Sequence, residues 1–442
     1  MTFLKKIDIN SIFKNKLELG NIIFLFGIFF LPSAFPLGAL FLLISIVISL
    51  IQNKENLLKN KFNFVFFICI LIIFISTFYN IILNRVDEIL DSQSSIILLN
   101  LFNWIPIYFA FLGFQIYLKN EEQRITFQRF LIAGSIPVIA SCIMHKFLNI
   151  YGPFETLFGT IVWFNYESVL GSNLSGDIGG GGVSGLFNNP NYLGMWLTLC
   201  LPFSLSLLRS ERIKSHKIIL FIINFLIIYF TILTNSRNAF LGLLVCLLLT
   251  FGIKRLLYFS LFIFLGIFLF NFLIPNFINL SDSYLVDKFF SIDLNFNYPR
   301  IKIWTRSIFL IFQKPFLGWG SGSMPYITMF FPPYQNYQHT HNMILELAYN
   351  FGIPLSLLVF STILKVLQES YQKINKLKKS LLNYSTSKSF IIAFLIFLFS
   401  HLNDITYYDG KISILFSILL ASLIKIIDQQ NHIEEEKYQI KK

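Results

Sequence analysis

The chain alternates between long apolar stretches and short polar connections, and the apolar stretches are too long and too uniform for strands or for one face of a soluble helix. A membrane-spanning helix needs about 20 apolar residues, fewer where neighbouring helices accommodate it. Twelve stretches meet this requirement, near 18–31, 34–52, 62–83, 96–118, 126–148, 191–208, 218–234, 238–253, 256–274, 342–367, 389–404 and 411–427. The first two are separated only by the segment Leu31 to Pro36, where Pro32 and Pro36 break the helix and permit a tight turn. The pattern predicts an all-α integral membrane protein with about 12 transmembrane helices.

Composition excludes the soluble alternatives. Of 442 residues, 55% are hydrophobic and only 13% charged, too few to cover a secreted disulfide scaffold, a disordered chain or a cytosolic enzyme. The cysteines Cys69, Cys142, Cys200 and Cys246 all fall inside apolar segments, where a thiol serves as a small hydrophobe, so neither a disulfide nor a metal-thiolate site is expected. Lys5, Lys6, Lys14 and Lys16 precede the first apolar run without a small-residue cleavage site after it, the pattern of an uncleaved anchor.

The net charge of +12 is explained by orientation rather than by nucleic acid. Short cytoplasmic loops retain Lys and Arg. With the N-terminus inside, 26 of the 35 basic residues fall on the inner side and nine on the outer side, which predicts cytoplasmic termini at both ends. The expected organisation is helices 1–5 within 1–148, a long outer loop at 149–190, and helices 6–9 within 191–274. A larger outer loop at 275–341 precedes the tenth helix, helices 10–12 occupy 342–427, and a charged cytoplasmic tail spans 428–442.

Long loops on a compact membrane protein carry function more often than they serve as filler, so the chemistry is sought on the outer side. Gly179 to Gly182 in the first loop read as a flexible hinge. Where the second loop enters the tenth span, His339 and His341 stand two residues apart. A neutral imidazole, with a pKa of about 6.5 before perturbation, can take a proton from a hydroxyl. The pair also fits metal ligation if the stretch is extended, or two interfacial histidines bonded to backbone; no adjoining ligand cluster supports the metal.

Arg237 and Arg300 are two of the scarce outer arginines, suited to an anionic ligand because a guanidinium offers two parallel hydrogen bonds to phosphate; lipid headgroups or a local carboxylate are the alternative partners. Asp282, Asp287, Asp293, Asp404 and Asp409 are expected to be solvated, and no outer carboxylate pair invites a diphosphate-bound metal. Hydrolase, zinc-protease and ATP-pump motifs do not occur.

Five stretches, in order, resemble the O-antigen ligase and O-antigen polymerase superfamily of bacterial envelope enzymes: Gly185 to Asn191, Thr234 to Gly242, Arg300 to Trp304, Lys314 to Gly320, and His341-Asn342 with Gly352 after nine further residues. Leu355 stands where the ligase pattern has Gly, Thr or Tyr, which leaves polymerisation or another glycan transfer open beside ligation. The resemblance implies a metal-independent inverting transferase without cofactor, in the bacterial inner membrane with its site facing the periplasm. It would move a preassembled glycan from an undecaprenyl (polyprenyl) diphosphate carrier to a hydroxyl of lipid A core, of a growing glycan or of a protein.

On that reading Arg237 and Arg300 hold the diphosphate and His341 is the base. Asn342 orients the imidazole or touches substrate. Trp304 and Trp319 pack on sugar or at the lipid interface, and Asn188, Asn189 and Asn191 contact glycan or cap a helix. The competing classes are protein O-oligosaccharyl transfer within the same chemistry, a polytopic secondary transporter, and a non-catalytic scaffold. The apolar spans hold almost no central charge and no second half mirrors the first, against transport.

Overall fold

The computed structural model describes residues 16–53, 58–83, 93–148, 182–187, 189–258, 299–330, 337–376 and 381–441. These residues form helices and connections without a strand. In chain order the helices are α1 (Lys16–Phe30), α2 (Phe35–Asn53), α3 (Lys61–Leu83), α4 (Gln93–Asn100), α5 (Ile105–Phe114), α6 (Glu121–Leu148), α7 (Pro190–Ser210) and α8 (Lys214–Leu233). They continue with α9 (Arg237–Phe251), α10 (Pro299–Gln313), α11 (Met324–Phe330), α12 (Met343–Phe351), α13 (Ile353–Lys376), α14 (Leu381–His401) and α15 (Gly410–Lys441). Among the described residues, nine stretches are long and apolar enough to cross a membrane, and the shorter apolar helices Leu17–Phe30 and Arg237–Phe251 coincide with the first and eighth expected spans. The ninth expected span, 256–274, lies outside the described residues beyond 258, as do most of the first long loop and the early part of the second. The later part of that second loop contains α10 and α11.

α7 and α15 are the central helices: 78% of each spanning window is buried, against 22% for α2 and α8 at the periphery. Small residues let α7 sit there. Gly194 has no room for a side chain, since a Cβ would lie 2.5 Å from that of Ala239 on α9, and the Thr198 hydroxyl bonds back to the Gly194 carbonyl. The peripheral α8 instead turns Ile219, Phe221, Ile222 and Phe225 outward, as a lipid-facing helix does. One buried polar pair is matched: the amides of Asn63 on α3 and Gln115 exchange hydrogen bonds of 3.3 and 2.8 Å.

Two expected spans are broken. The stretch 96–118 divides into α4, a 3₁₀ turn at Leu101–Asn103, α5 and a second 3₁₀ turn at Gln115–Leu118, with Pro106 in the first turn of α5. The stretch 342–367 divides at Gly352, whose φ of +94° is left-handed, into α12 and α13. The Lys314 to Gly320 segment docks into this elbow. Trp319 N–H donates to Tyr349 O (2.8 Å), Gly320 N–H to Asn350 O (3.0 Å) and Ile353 N–H to Pro315 O (2.7 Å), so the carbonyls and amide freed by the break are used. From α3, the Ser76 hydroxyl donates to Leu317 O at 2.5 Å. Leu355, which departs from the ligase pattern, is fully buried just after the elbow.

Closeness as well as backbone sign demands glycine at the elbow. A Cβ at Gly352 would overlap the Phe316 carbonyl, whereas Gly252, with φ +81°, has open space around it. Left-handed strain alone costs about 1–3 kcal/mol. In thermal unfolding of the detergent-solubilised protein, Gly352→Ala is expected to lower the midpoint clearly more than Gly252→Ala; equal shifts would contradict the docking account.

Candidate functional site

The residues 337–341 run into α12 without helix, and Asn342 caps that helix. Its Oδ1 accepts from the Ile344 and Leu345 amides (2.9 and 3.1 Å), and its Nδ2 donates to Leu402 O (2.9 Å) at the end of α14. His341 just before it has φ +52°, a left-handed conformation that only one other described non-glycine residue, Asn235, shares. The conformation is held from both sides. Thr340 N–H donates to Glu346 Oε2 (2.9 Å), and the Thr340 hydroxyl donates to Asn342 O (2.8 Å).

So turned, the His341 imidazole presents Nδ1 to Asp404 Oδ1 at 3.2 Å, with the histidine side chain 32% exposed and the aspartate 13%. A carboxylate at Nδ1 selects the tautomer with its proton there and leaves the Nε2 lone pair free to act as a base. Asp404 follows α14, its amide donating to Ser400 O (3.1 Å) and its Oδ1 also accepting from Ile405 N–H (2.9 Å). Burial works to raise its pKa, but the hydrogen bonds from His341 and Ile405 and the positive charge of Arg300 hold it below the ordinary carboxylate value. Asp404 is thus the partner of the imidazole, not the solvated residue that its sequence position suggests. Asn342, expected to orient the ring or touch substrate, uses Oδ1 for the cap and one Nδ2–H for Leu402, and makes no hydrogen bond to the imidazole among the described residues. Asp409 is not simply solvated either: its Oδ1 accepts from the Lys411 amide (2.9 Å) at the start of α15.

Arg300 stands half-buried in the first turn of α10, after Pro299. Trp304 follows one turn later on the same side of the helix, and its buried indole N–H has no hydrogen-bond partner among the described residues. α10 is carried on α12 by a small apolar core that includes Ile303, Leu310, Ile311 and Tyr349. Trp319 has no free indole to offer, because Nε1 donates to Leu310 O (2.8 Å) and Lys314 Nζ sits 4.2 Å from the ring centroid.

Arg237 opens α9, exposed, with Ser236 capping the helix by accepting from Ala239 N–H (3.3 Å). Its neighbour Asn238 donates to Ser400 O (3.2 Å), the same carbonyl that receives the Asp404 amide. The start of α9 therefore adjoins the Asp404 turn, although no hydrogen bond or ion pair among the described residues joins Arg237 to His341 or Asp404. Asn188 lies outside the described residues. Asn189 is the cap of α7, accepting from the Asn191 amide (2.8 Å), while the Asn191 side chain stays partly exposed. The segment before α7 is tied to α15 by Lys411, which donates to Leu186 O (3.1 Å) over the Phe187 ring.

The second histidine packs against the first. His339 meets His341 edge to face, centroids 4.1 Å apart, and burial followed by the charge of His341 lowers its pKa. Among the described residues no group of three His, Cys, Asp or Glu side chains is placed to hold a metal ion. Glu346 and Tyr408, which sequence reasoning passed over, complete the surroundings: the Tyr408 hydroxyl donates to Glu346 Oε1 at 2.8 Å. A lone acid between His341 and Gly352 in an otherwise apolar run was the available signal, since such a charge must be paired. An apolar cavity of about 80 Å³ lies inward of this region, bordered by Met343, Leu347, Phe397 and Tyr407, but carries none of its ionisable groups.

The starts of α7, α9, α12 and α15, capped by Asn189, Ser236, Asn342 and Asp409, thus gather with the end of α14 around Asp404. Helix N-termini carry partial positive charge, and with Arg300 they make this end of the bundle favourable to an anion beside a potential base.

Residues 222–360 match the O-antigen ligase family model, which supports the O-antigen ligase and polymerase superfamily for this chain and points to a membrane glycan ligase or polymerase. Arg237, Arg300, Trp304, His341 and Asn342 fall inside the match; Asn191 and Asp404 fall outside it. A comparison with curated proteins gives no match.

The lowered pKa of Asp404 fixes the sign of a pH effect. Its contribution to stability is complete above the unfolded value of about 3.9 and is lost as pH falls through the lower folded value. The difference in thermal midpoint between wild type and Asp404→Asn is therefore expected to hold from about pH 7 to about pH 5 and to shrink only in stronger acid. A difference that closes before pH 5 would contradict the assigned sign.

Proposed function

We propose that this protein is a glycosyltransferase that moves a preassembled glycan from a polyprenyl diphosphate, undecaprenyl diphosphate in bacteria, to an acceptor hydroxyl. The observation that carries the reading is the His341 and Asp404 pair, 3.2 Å apart, within the field of Arg300. The acceptor hydroxyl gives its proton to His341 Nε2 while its oxygen attacks C1 of the sugar opposite the diphosphate. The bond from C1 to the diphosphate oxygen breaks, its electron pair leaves with the diphosphate, and the configuration at C1 inverts. Arg300 and Arg237 stabilise the departing charge, the task that a divalent metal performs in other transferases. Asp404 stabilises the imidazolium until the proton passes to water. The buried, unpaired indole N–H of Trp304, one turn from Arg300, donates to an oxygen of the bound donor.

The uneven spread of basic residues supports cytoplasmic termini and a periplasmic site built by the loop 275–341, in the inner membrane. A core sugar of lipid A as acceptor makes the reaction ligation, a second glycan repeat makes it polymerisation, and a Ser or Thr hydroxyl makes it protein glycosylation.

Cells lacking the gene, complemented with wild type or His341→Ala at equal protein level, provide the test by gels of surface and lipid-linked glycan. Loss of the base is expected to cost about 10²- to 10⁴-fold in transfer. Long polymer stranded on the carrier identifies a ligase and single repeats on the core a polymerase, whereas near-normal transfer by His341→Ala would defeat the assignment. Trp304→Phe keeps the ring and removes the N–H, and is expected to lower kcat/KM by about two- to tenfold. An unchanged kcat/KM would remove Trp304 from the donor site.

A further inference from the structure

Glu346 is 2% exposed, on the first turn of α12, and each of its oxygens reaches a different part of the site. Oε2 accepts from the Thr340 amide at 2.9 Å, one residue before His341. Oε1 accepts from the Tyr408 hydroxyl at 2.8 Å, four residues after Asp404, and from Asn350 Nδ2 at 3.1 Å. A carboxylate in an apolar setting is costly, and a short helix after a capping Asn342 does not need one. What Glu346 does that a leucine would not is to join the segment bearing His341 to the turn bearing Asp404.

We infer that Glu346, with Tyr408, is a positioning residue that sets the spacing of the His341 and Asp404 pair by bridging the two segments that carry them. The inference rests on the proposed role of His341 as base. It acts through the backbone. Thr340 leads directly into the left-handed His341, so the Glu346 bond to its amide limits the rotation that would swing the imidazole off Asp404. On the other side, the Tyr408 hydroxyl anchors the 3₁₀ turn Thr406–Tyr408, and the Tyr408 ring lies against His339 with centroids 6.0 Å apart. A base misplaced by about 1 Å loses on the order of 10²-fold in rate.

The test uses the full chain in lipid nanodiscs, with lipid-linked glycan and acceptor membranes extracted from cells lacking the gene. Tyr408→Phe removes one hydroxyl and leaves the ring packed; it is expected to lower kcat by about tenfold with KM for the lipid-linked glycan unchanged. Glu346→Leu is expected to lower kcat by about 10²-fold, and Glu346→Gln, which keeps an acceptor and a polar bridge, to recover most of that loss. Placed on His341→Ala, Glu346→Leu should reduce the residual transfer no further, because positioning has no meaning once the imidazole is gone.

A merely structural role would instead lower the residual transfer as well, and that additivity would overturn the inference. So would an unchanged kcat in both Tyr408→Phe and Glu346→Leu while His341→Ala is inactive. If His341→Ala itself transfers normally, the proposed function fails first and this inference with it, so the two failures are told apart.

Discussion

A backbone amide buried inside a helical bundle has no water to turn to, so every buried departure from regular helix must find its partners elsewhere in the chain. The elbow between α12 and α13 depends on that constraint. The break at Gly352 is possible because the Lys314 to Gly320 segment brings amides and carbonyls to the broken turn, and the same segment leads back to α10. Through this docking Arg300 and Trp304 are carried to the start of α12, where His341 stands. The aromatic and glycine residues of that segment serve the joint: Trp319 is consumed by Leu310 and Lys314, and Gly318, with φ +65°, is pressed against the Tyr349 carbonyl.

A second consequence of the same constraint is the gathering of helix ends. Four helix starts at one end of the bundle would each leave amides unpaired, and Asn189, Ser236, Asn342 and Asp409 answer them locally. The uncharged caps Asn189, Ser236 and Asn342 leave the partial positive charge of their helix ends in place, whereas the Asp409 carboxylate offsets it at α15. The two ionisable partners, His341 and Asp404, are supplied by the short connections beside these ends, where a polar group can be both held and reached.

Most spans among the described residues were legible because a spanning helix writes its length directly into an apolar run, and the turn at Pro32 and Pro36 was legible because proline acts locally. The division at Gly352 was not: its φ depends on a carbonyl of Phe316, 36 residues earlier in numbering, and no window along the chain reports that closeness. For the same reason His341 could be picked out by residue type while Asp404 could not, since the pair is 63 residues apart and a lone aspartate near a span end has the outward features of a solvated one. Arg300 emerged from scarcity of outer cations. Glu346 was overlooked although an acid among apolar neighbours should prompt a search for its partners. Asn342 could be picked out by type, but its capping of α12 through Oδ1 and its bond to Leu402 through Nδ2 are set by a backbone that only the fold brings near.

The left-handed backbone at His341 has an evolutionary cost. Histidine is uncomfortable there, whereas glycine and asparagine adopt φ near +52° readily, and asparagine would still offer Asp404 a donor. On the proposed role of His341 as base, selection for a sturdier fold alone would drift position 341 away from histidine, and its retention would mark a lineage in which activity is still under selection. Copies of the gene released from that duty should lose the imidazole early, with the helix cap at Asn342 and the glycine elbow outlasting it.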